Sequence, residues 1–143
     1  MKDRVILLIE DNPDDRELAL RALKRCRPAV PVVAIDNGAE AIEYLCGAGG
    51  RPSARPQPAL VLLDLKMPKL DGIEVLRRLR ASHKGPRIPV VVMTSSTEAR
   101  DITAAYEHGA TSYVTKPVDY RSFLELVECL CRYWLDFNHS SPA

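Results

Sequence analysis

Four apolar stretches of this 143-residue sequence run directly into residues equipped for polar chemistry. Val5–Ile9 is followed by Glu10 and Asp11, Leu60–Leu63 by Asp64, Ile88–Met93 by Thr94, and Tyr113-Val114-Thr115 by Lys116. Each residue alone has an ordinary explanation. An acid after a strand often caps a helix, and a lysine before proline is usually a solvated loop residue. Gathered in one crevice, the carboxylates form a different object. Two of them about 4 Å apart repel by about 4 kcal/mol at an effective dielectric of 20, so a cluster of three holds either protons or a cation. Hard oxygen donors with no thiolate or imidazole beside them suit Mg2+, with Mn2+ as the alternative, in octahedral geometry with retained waters. Such an ion leaves positions open for a phosphoryl oxygen. Asp64 then suits the role of nucleophile toward an activated phosphorus, while Thr94 and Lys116 offer a hydroxyl and a point charge to its oxygens.

The crevice exists only if the intervening elements bring these ends together. Short apolar runs alternate with helix-period segments along the whole chain. Val5–Ile9, Val32–Ile35, Leu60–Leu63, Ile88–Met93 and Tyr113-Val114-Thr115 read as strands, the continuous runs among them buried on both faces. Helices are expected after each strand. Asn12 is an N-cap with Pro13 at the first position and Asp15 at the capping-box site, and Leu18, Ala22, Leu23 and Cys26 form the apolar face of the first helix. Ala41, Ile42 and Leu45 line the second helix and Ile73, Leu76 and Leu79 the third. The fourth covers about Ala99–His108 and stops at Gly109; the last runs from about Tyr120 to Leu135. Five such units give an α/β fold, a (βα)5 doubly wound parallel sheet with right-handed crossovers. Ligands of such sheets bind at the carboxyl ends of the strands. Residues 47–58, with three glycines and three prolines, read as an exposed loop, and 136–143 as a short polar tail.

Composition narrows the class. The length fits one domain, with its core over about residues 4–135, and 46% hydrophobic with 27% charged residues excludes a disordered or fibrous chain. A net charge of +1 argues against a nucleic-acid or membrane surface as the main partner. No apolar run approaches the ~20 residues of a membrane span. The start, with Glu10 and Asp11 directly after its apolar run, is no secretory signal. Cys26, Cys46, Cys129 and Cys131 lack CxxC spacing and read as reduced, semi-buried thiols of a cytoplasmic protein, without zinc.

The segments ILLIEDNPDD, LVLLDLKMPKLDG, VVVMTSS and YVTKP resemble, in order and spacing over about residues 4–135, the receiver domain of two-component response regulators. The resemblance implies the strand order 2-1-3-4-5 and makes Asp64 the phosphoacceptor. It assigns Mg2+ ligation to Asp11 and Asp64 directly, to Glu10 through water and to the Lys66 backbone carbonyl. Thr94 becomes the switch hydroxyl, Tyr113 the aromatic switch residue and Lys116 the phosphate-pairing lysine, with a cis Lys116-Pro117 bond. Glu10 stands where the family more often has Asp; Lys66 and Ser96 stand where it tunes dephosphorylation. The EDNPDD start, the Gly/Pro-rich insertion and the Tyr133-Trp134-Leu135 ending resemble single-domain regulators paired with phytochrome-type histidine kinases.

Partners follow from the same reading: a sensor histidine kinase, such as a bacteriophytochrome, or a phosphotransfer protein. The family's docking face falls on Leu18, Ala19 and Ala22 beside Pro117 and Val118. The last helix carries a core stripe, Phe123, Val127, Leu130, Cys131 and Trp134, and a second stripe, Leu126, Cys129, Tyr133 and Phe137, that suits a homodimer interface. Other classes fit less well. A dehalogenase-like phosphatase expects a second Asp where Leu65-Lys66 follow Asp64, a flavodoxin expects a hydroxyl- and glycine-rich first turn, and a pseudo-receiver would not keep Glu10, Asp11, Asp64, Thr94 and Lys116 intact.

Overall fold

The structure, a computed structural model, describes residues 4–47, 57–67, 70–82 and 88–139. Strands β1 (Ile6–Ile9), β2 (Val32–Ile35), β3 (Leu60–Leu63), β4 (Val90–Thr94) and β5 (Ser112–Thr115) form one parallel sheet in the order β2-β1-β3-β4-β5. The intervening helices are α1 (Pro13–Cys26), α2 (Gly38–Cys46), α3 (Gly72–Ala81), α4 (Ala99–Glu107) and α5 (Tyr120–Cys131). The three central strands are buried along their whole length, which is why they read as continuous apolar runs, whereas β2 and β5 lie at the edges and are partly exposed.

Period-2 alternation divides the core. Leu7, Ile9, Val61, Leu63, Val90 and Val92 pack against α2, α3 and α4, with Tyr44, Leu76, Leu79 and Ala105 among their neighbours. Ile6, Leu8, Leu60, Leu62, Val91 and Met93 face α1 and α5, meeting Ala22, Leu23, Phe123 and Val127. The expected cap at Asn12 is present, and Asn37, Asp71 and Asp119 cap their helices in the same way: each of the four accepts a hydrogen bond from the backbone NH three residues on. Gly109 ends α4 with φ +105°, the left-handed conformation expected of a glycine C′ residue. Helix α4 is the lightly anchored one, with Ala105 its only buried residue and no side-chain cap.

Several expectations change. Strand β1 begins at Ile6 rather than Val5, and β4 covers Val90–Thr94 rather than Ile88–Met93, because hydrogen bonding rather than apolarity sets the ends. Leu18 is 40% exposed, and Ala19 takes its place in the core. The last helix leaves α geometry after Cys131 for a π-helical turn, Arg132–Phe137, in which Leu135 is buried and Asn138 N donates to Tyr133 O at 2.7 Å. Arg4 donates to the carbonyls of Leu135 and Trp134, and Arg27 pairs with Glu128 at 3.2 Å and Asp136 at 2.7 Å, tying this turn to β1 and α1. No peptide bond among the described residues is cis, so Lys116-Pro117 takes the trans form that X-Pro bonds favour by about 0.5–1 kcal/mol. Most of the expected loop 47–58 and half of the tail lie outside the described residues. No helix among the described residues is long and apolar enough to cross a membrane.

One glycine controls how closely α3 approaches the third strand. A Cβ on Gly72 would sit 2.6 Å from the Asp64 carbonyl oxygen and 2.8 Å from the Leu65 Cα, both backbone atoms. Gly72→Ala is therefore expected to cost about 1–3 kcal/mol in urea unfolding, the range of overpacked sites. An unchanged midpoint would contradict this close packing.

Candidate functional site

Because β1 and β3 are adjacent and in register, Glu10, Asp11 and Asp64 leave the sheet side by side. One carboxylate oxygen from each lies within 4.8 Å of the others. Glu10 and Asp64 are 3% and 8% exposed, and Asp11 is half-buried. Lys116, arriving from β5 on the far side of β4, spans the sheet edge to reach them. Its Nζ lies 2.7 Å from Glu10 Oε1, 3.2 Å from Asp15 Oδ2 and 3.5 Å from Asp64 Oδ2. Thr94, 1% exposed, ends β4 between the two, and its carbonyl accepts from Lys116 N at 2.8 Å. The Tyr113 hydroxyl donates to the Ser96 carbonyl at 3.0 Å, closing the loop after β4. Lys66 N donates to Asp64 Oδ1 at 3.3 Å, while its side chain pairs with Asp101 at 3.4 Å.

The structure thus brings Glu10, Asp11, Asp64 and Lys116 together, with Thr94 at the adjoining strand end. Three participants escaped sequence reasoning. Asp15 sends its carboxylate to Lys116 instead of back to its own cap, and Arg16 donates to the Glu10 and Asp11 carbonyls at 3.0 and 3.4 Å, fixing the acidic turn. Asp101 lies on α4, with no motif to mark it. Only Asp15 carried a signal, its place in the acidic run after β1.

Electrostatics is severe at Glu10. Burial, reinforced by the charge on Asp64 and opposed by the Lys116 hydrogen bond, pushes its carboxyl from 4.5 up to about 7. Burial alone would draw the Lys116 ammonium down, but Glu10 and the charges of Asp64 and Asp15 outweigh it and leave the group above its ordinary value. In the metal-free protein Glu10 is raised on folding. Its contribution to stability is present below about pH 4.5 and lost as pH rises through about 7. A divalent ion drawn to this cluster would favour the ionised Glu10 and so compete with that proton. Mg2+ affinity, measured by calorimetry, is accordingly expected to rise between pH 6 and 7, by up to about tenfold per unit, and to level off above. A flat profile would contradict the raised Glu10.

The donor set is all oxygen, partly desolvated and arranged on two adjacent strand ends, as a hard divalent cation requires. Comparison with known proteins agrees with the geometry. Residues 6–128 match the response regulator receiver domain. The chain belongs to the receiver domain family. The probable methanogenesis regulatory protein FilR2 of Methanothrix harundinacea is 39% identical over 97% of this chain and 89% of its own length. The crystal structure of the phosphorylated cyanobacterial phytochrome response regulator RcpA superposes with a TM-score of 0.87 at 34% identity, covering 98% of this chain and 99% of that one. The Mn2+-bound form of response regulator Rcp1 gives 0.84 at 33% identity, over 96% and 99%. This receiver is a two-component response regulator whose strand order and acidic edge match what its sequence implied.

Proposed function

We propose that this receiver takes a phosphoryl group onto Asp64 from a partner's phosphohistidine and signals by changing its affinity for protein partners. The observation that carries the reading is the convergence of Glu10, Asp11 and Asp64 oxygens within 4.8 Å beside the Lys116 ammonium. Glu10, Asp11, Asp64 and the Lys66 carbonyl are the groups to hold Mg2+, or Mn2+, which when bound neutralises the carboxylates and draws charge from a phosphoryl oxygen. An Asp64 carboxylate oxygen attacks phosphorus as the P–N bond breaks, and the leaving histidine nitrogen keeps the electron pair. Lys116 and the Thr94 hydroxyl hold the transferred oxygens, and Tyr113 follows Thr94 through the loop after β4. Water later cleaves the acyl phosphate, so the domain assists its own transfer and slow release without turning over free substrates.

The partner is a sensor histidine kinase or a phosphotransfer protein in the cytoplasm, and the phytochrome regulators among its relatives favour a bacteriophytochrome. Of the expected docking residues, Ala19 and Ala22 are buried in the core. Leu18 and Val118 stand exposed beside Pro117, over a cavity of about 170 Å³ that also reaches Glu10 and Lys116. Of the second stripe, which runs from α5 into the π-helical turn, Leu126 packs against the core, leaving Cys129, Tyr133 and Phe137 exposed along a groove of about 770 Å³. This face supports a homodimer rather than a nucleic-acid or membrane contact. Tyr133→Ala is expected to lower the sedimenting mass at micromolar concentration from dimer to monomer; equal monomeric masses for both proteins would end that part of the proposal.

Incubation with phosphoramidate and Mg2+, followed by intact mass measurement, tests the main reading. One phosphoryl increment that appears only with the metal is expected. No increment, or turnover of many phosphomonoesters, would overturn it.

A further inference from the structure

We propose that Asp101 is a positioning residue that holds the Lys66 ammonium away from the Asp64 carboxylate and so weakens the site for anionic phosphoryl donors. The proposal rests on Asp64 being the acceptor. Lys66 is tethered close to the acceptor, since its backbone NH donates to Asp64 Oδ1 at 3.3 Å. Its long side chain is 60% exposed, so packing does not decide where the charge goes. The charge lies 3.4 Å from Asp101 Oδ2, on the first turn of α4. Asp101 is the fixed member of this pair: it is only 20% exposed and accepts from Ser96 Oγ at 2.5 Å. Ser96 Oγ in turn accepts from Glu98 N at 3.2 Å, and the Ser96 carbonyl is held by Tyr113. The first turn of a helix favours a carboxylate over a neutral group. The acceptor edge, with three carboxylates and Lys116, would attract a second ammonium if Asp101 released it.

Asp101 thereby joins the turn after β3 to the lightly anchored α4. A phosphoryl group on Asp64 adds negative charge on the near side of Lys66 and competes with Asp101 for it. Release of that pair removes one tie between the turn after β3 and the first turn of α4, the helix with the fewest buried residues.

The test measures adduct formation from acetyl phosphate with saturating Mg2+ in the intact chain. Asp101→Asn keeps the Ser96 hydrogen bond but loses the charge; the half-saturating acetyl phosphate concentration is expected to fall about two- to fivefold, the scale of a partly exposed ion pair. Asp101→Glu should retain the wild-type value, and the effect should shrink in high salt. On a Lys66→Met background, Asp101→Asn should do nothing more. Wild-type half-saturation in Asp101→Asn, or an equal gain in the Lys66→Met background, would overturn the proposal. A wild-type chain that takes no phosphoryl group at all would instead refute the acceptor assignment, so the two failures are distinct.

Discussion

Asp64→Asn is expected to lose its phosphoryl adduct almost completely, by about a hundredfold or more under conditions that saturate the wild type. The substitution keeps the shape of the side chain and the backbone bond from Asp64 N to Ile9 O at 3.1 Å, so the sheet is undisturbed. What disappears is the anionic oxygen that attacks phosphorus, because an amide oxygen in its place is a poor nucleophile. The variant should fold at least as well as the parent. Asp64 is one cause of the raised Glu10 carboxyl, and its removal relieves that repulsion. A variant with less adduct and an equal or higher melting temperature therefore separates lost chemistry from lost structure. Wild-type adduct in Asp64→Asn would move the acceptor elsewhere.

Lys116→Met should produce the largest effect on stability. The ammonium, 15% exposed, is shared by Glu10, Asp15 and Asp64, two of which are nearly fully buried. Breaking a buried ion pair by removing one partner costs about 3–5 kcal/mol. Here the loss has an escape route, because Glu10 already titrates near 7 and can take a proton when its cation leaves. The expected loss without metal is thus about 2–3 kcal/mol at pH 8 and smaller at pH 6. Millimolar Mg2+ should recover part of it by supplying the missing positive charge. The variant should still accept a phosphoryl group slowly and fail to convert it into partner binding, because nothing then ties the phosphoryl oxygens to β5. Thermal melts at both pH values, with and without Mg2+, check the first half; an identical loss under all four conditions would contradict the counter-ion role of Lys116.

How far the sequence could be read depended on the physical range of each interaction. The central strands were evident because burial on both faces leaves an unbroken apolar signature, and their polar terminators then follow at one edge of a parallel sheet. The cap at Asn12 acts over three residues and was equally readable. Leu18, read as part of the apolar face of α1, stands 40% exposed because helical phase alone does not fix the edge of a buried face. The burial of Leu135, which neither stripe of the last helix included, follows from the π turn after Cys131, which resets the helical phase. The pairs Asp15–Lys116 and Lys66–Asp101 join residues far apart in the chain, so no local pattern could announce them. Glu10 shows the same limit: its identity was plain, but the burial that lifts its carboxyl belongs to the assembled core.

Reductive trapping tests the central claim most directly. Borohydride converts an aspartyl phosphate to homoserine, which peptide sequencing by mass spectrometry can place to a single residue. After incubation with phosphoramidate, homoserine should occur at position 64 alone and only when Mg2+ or Mn2+ is present. Modification at position 11 or another carboxylate, or equal labelling without a divalent ion, would contradict the account.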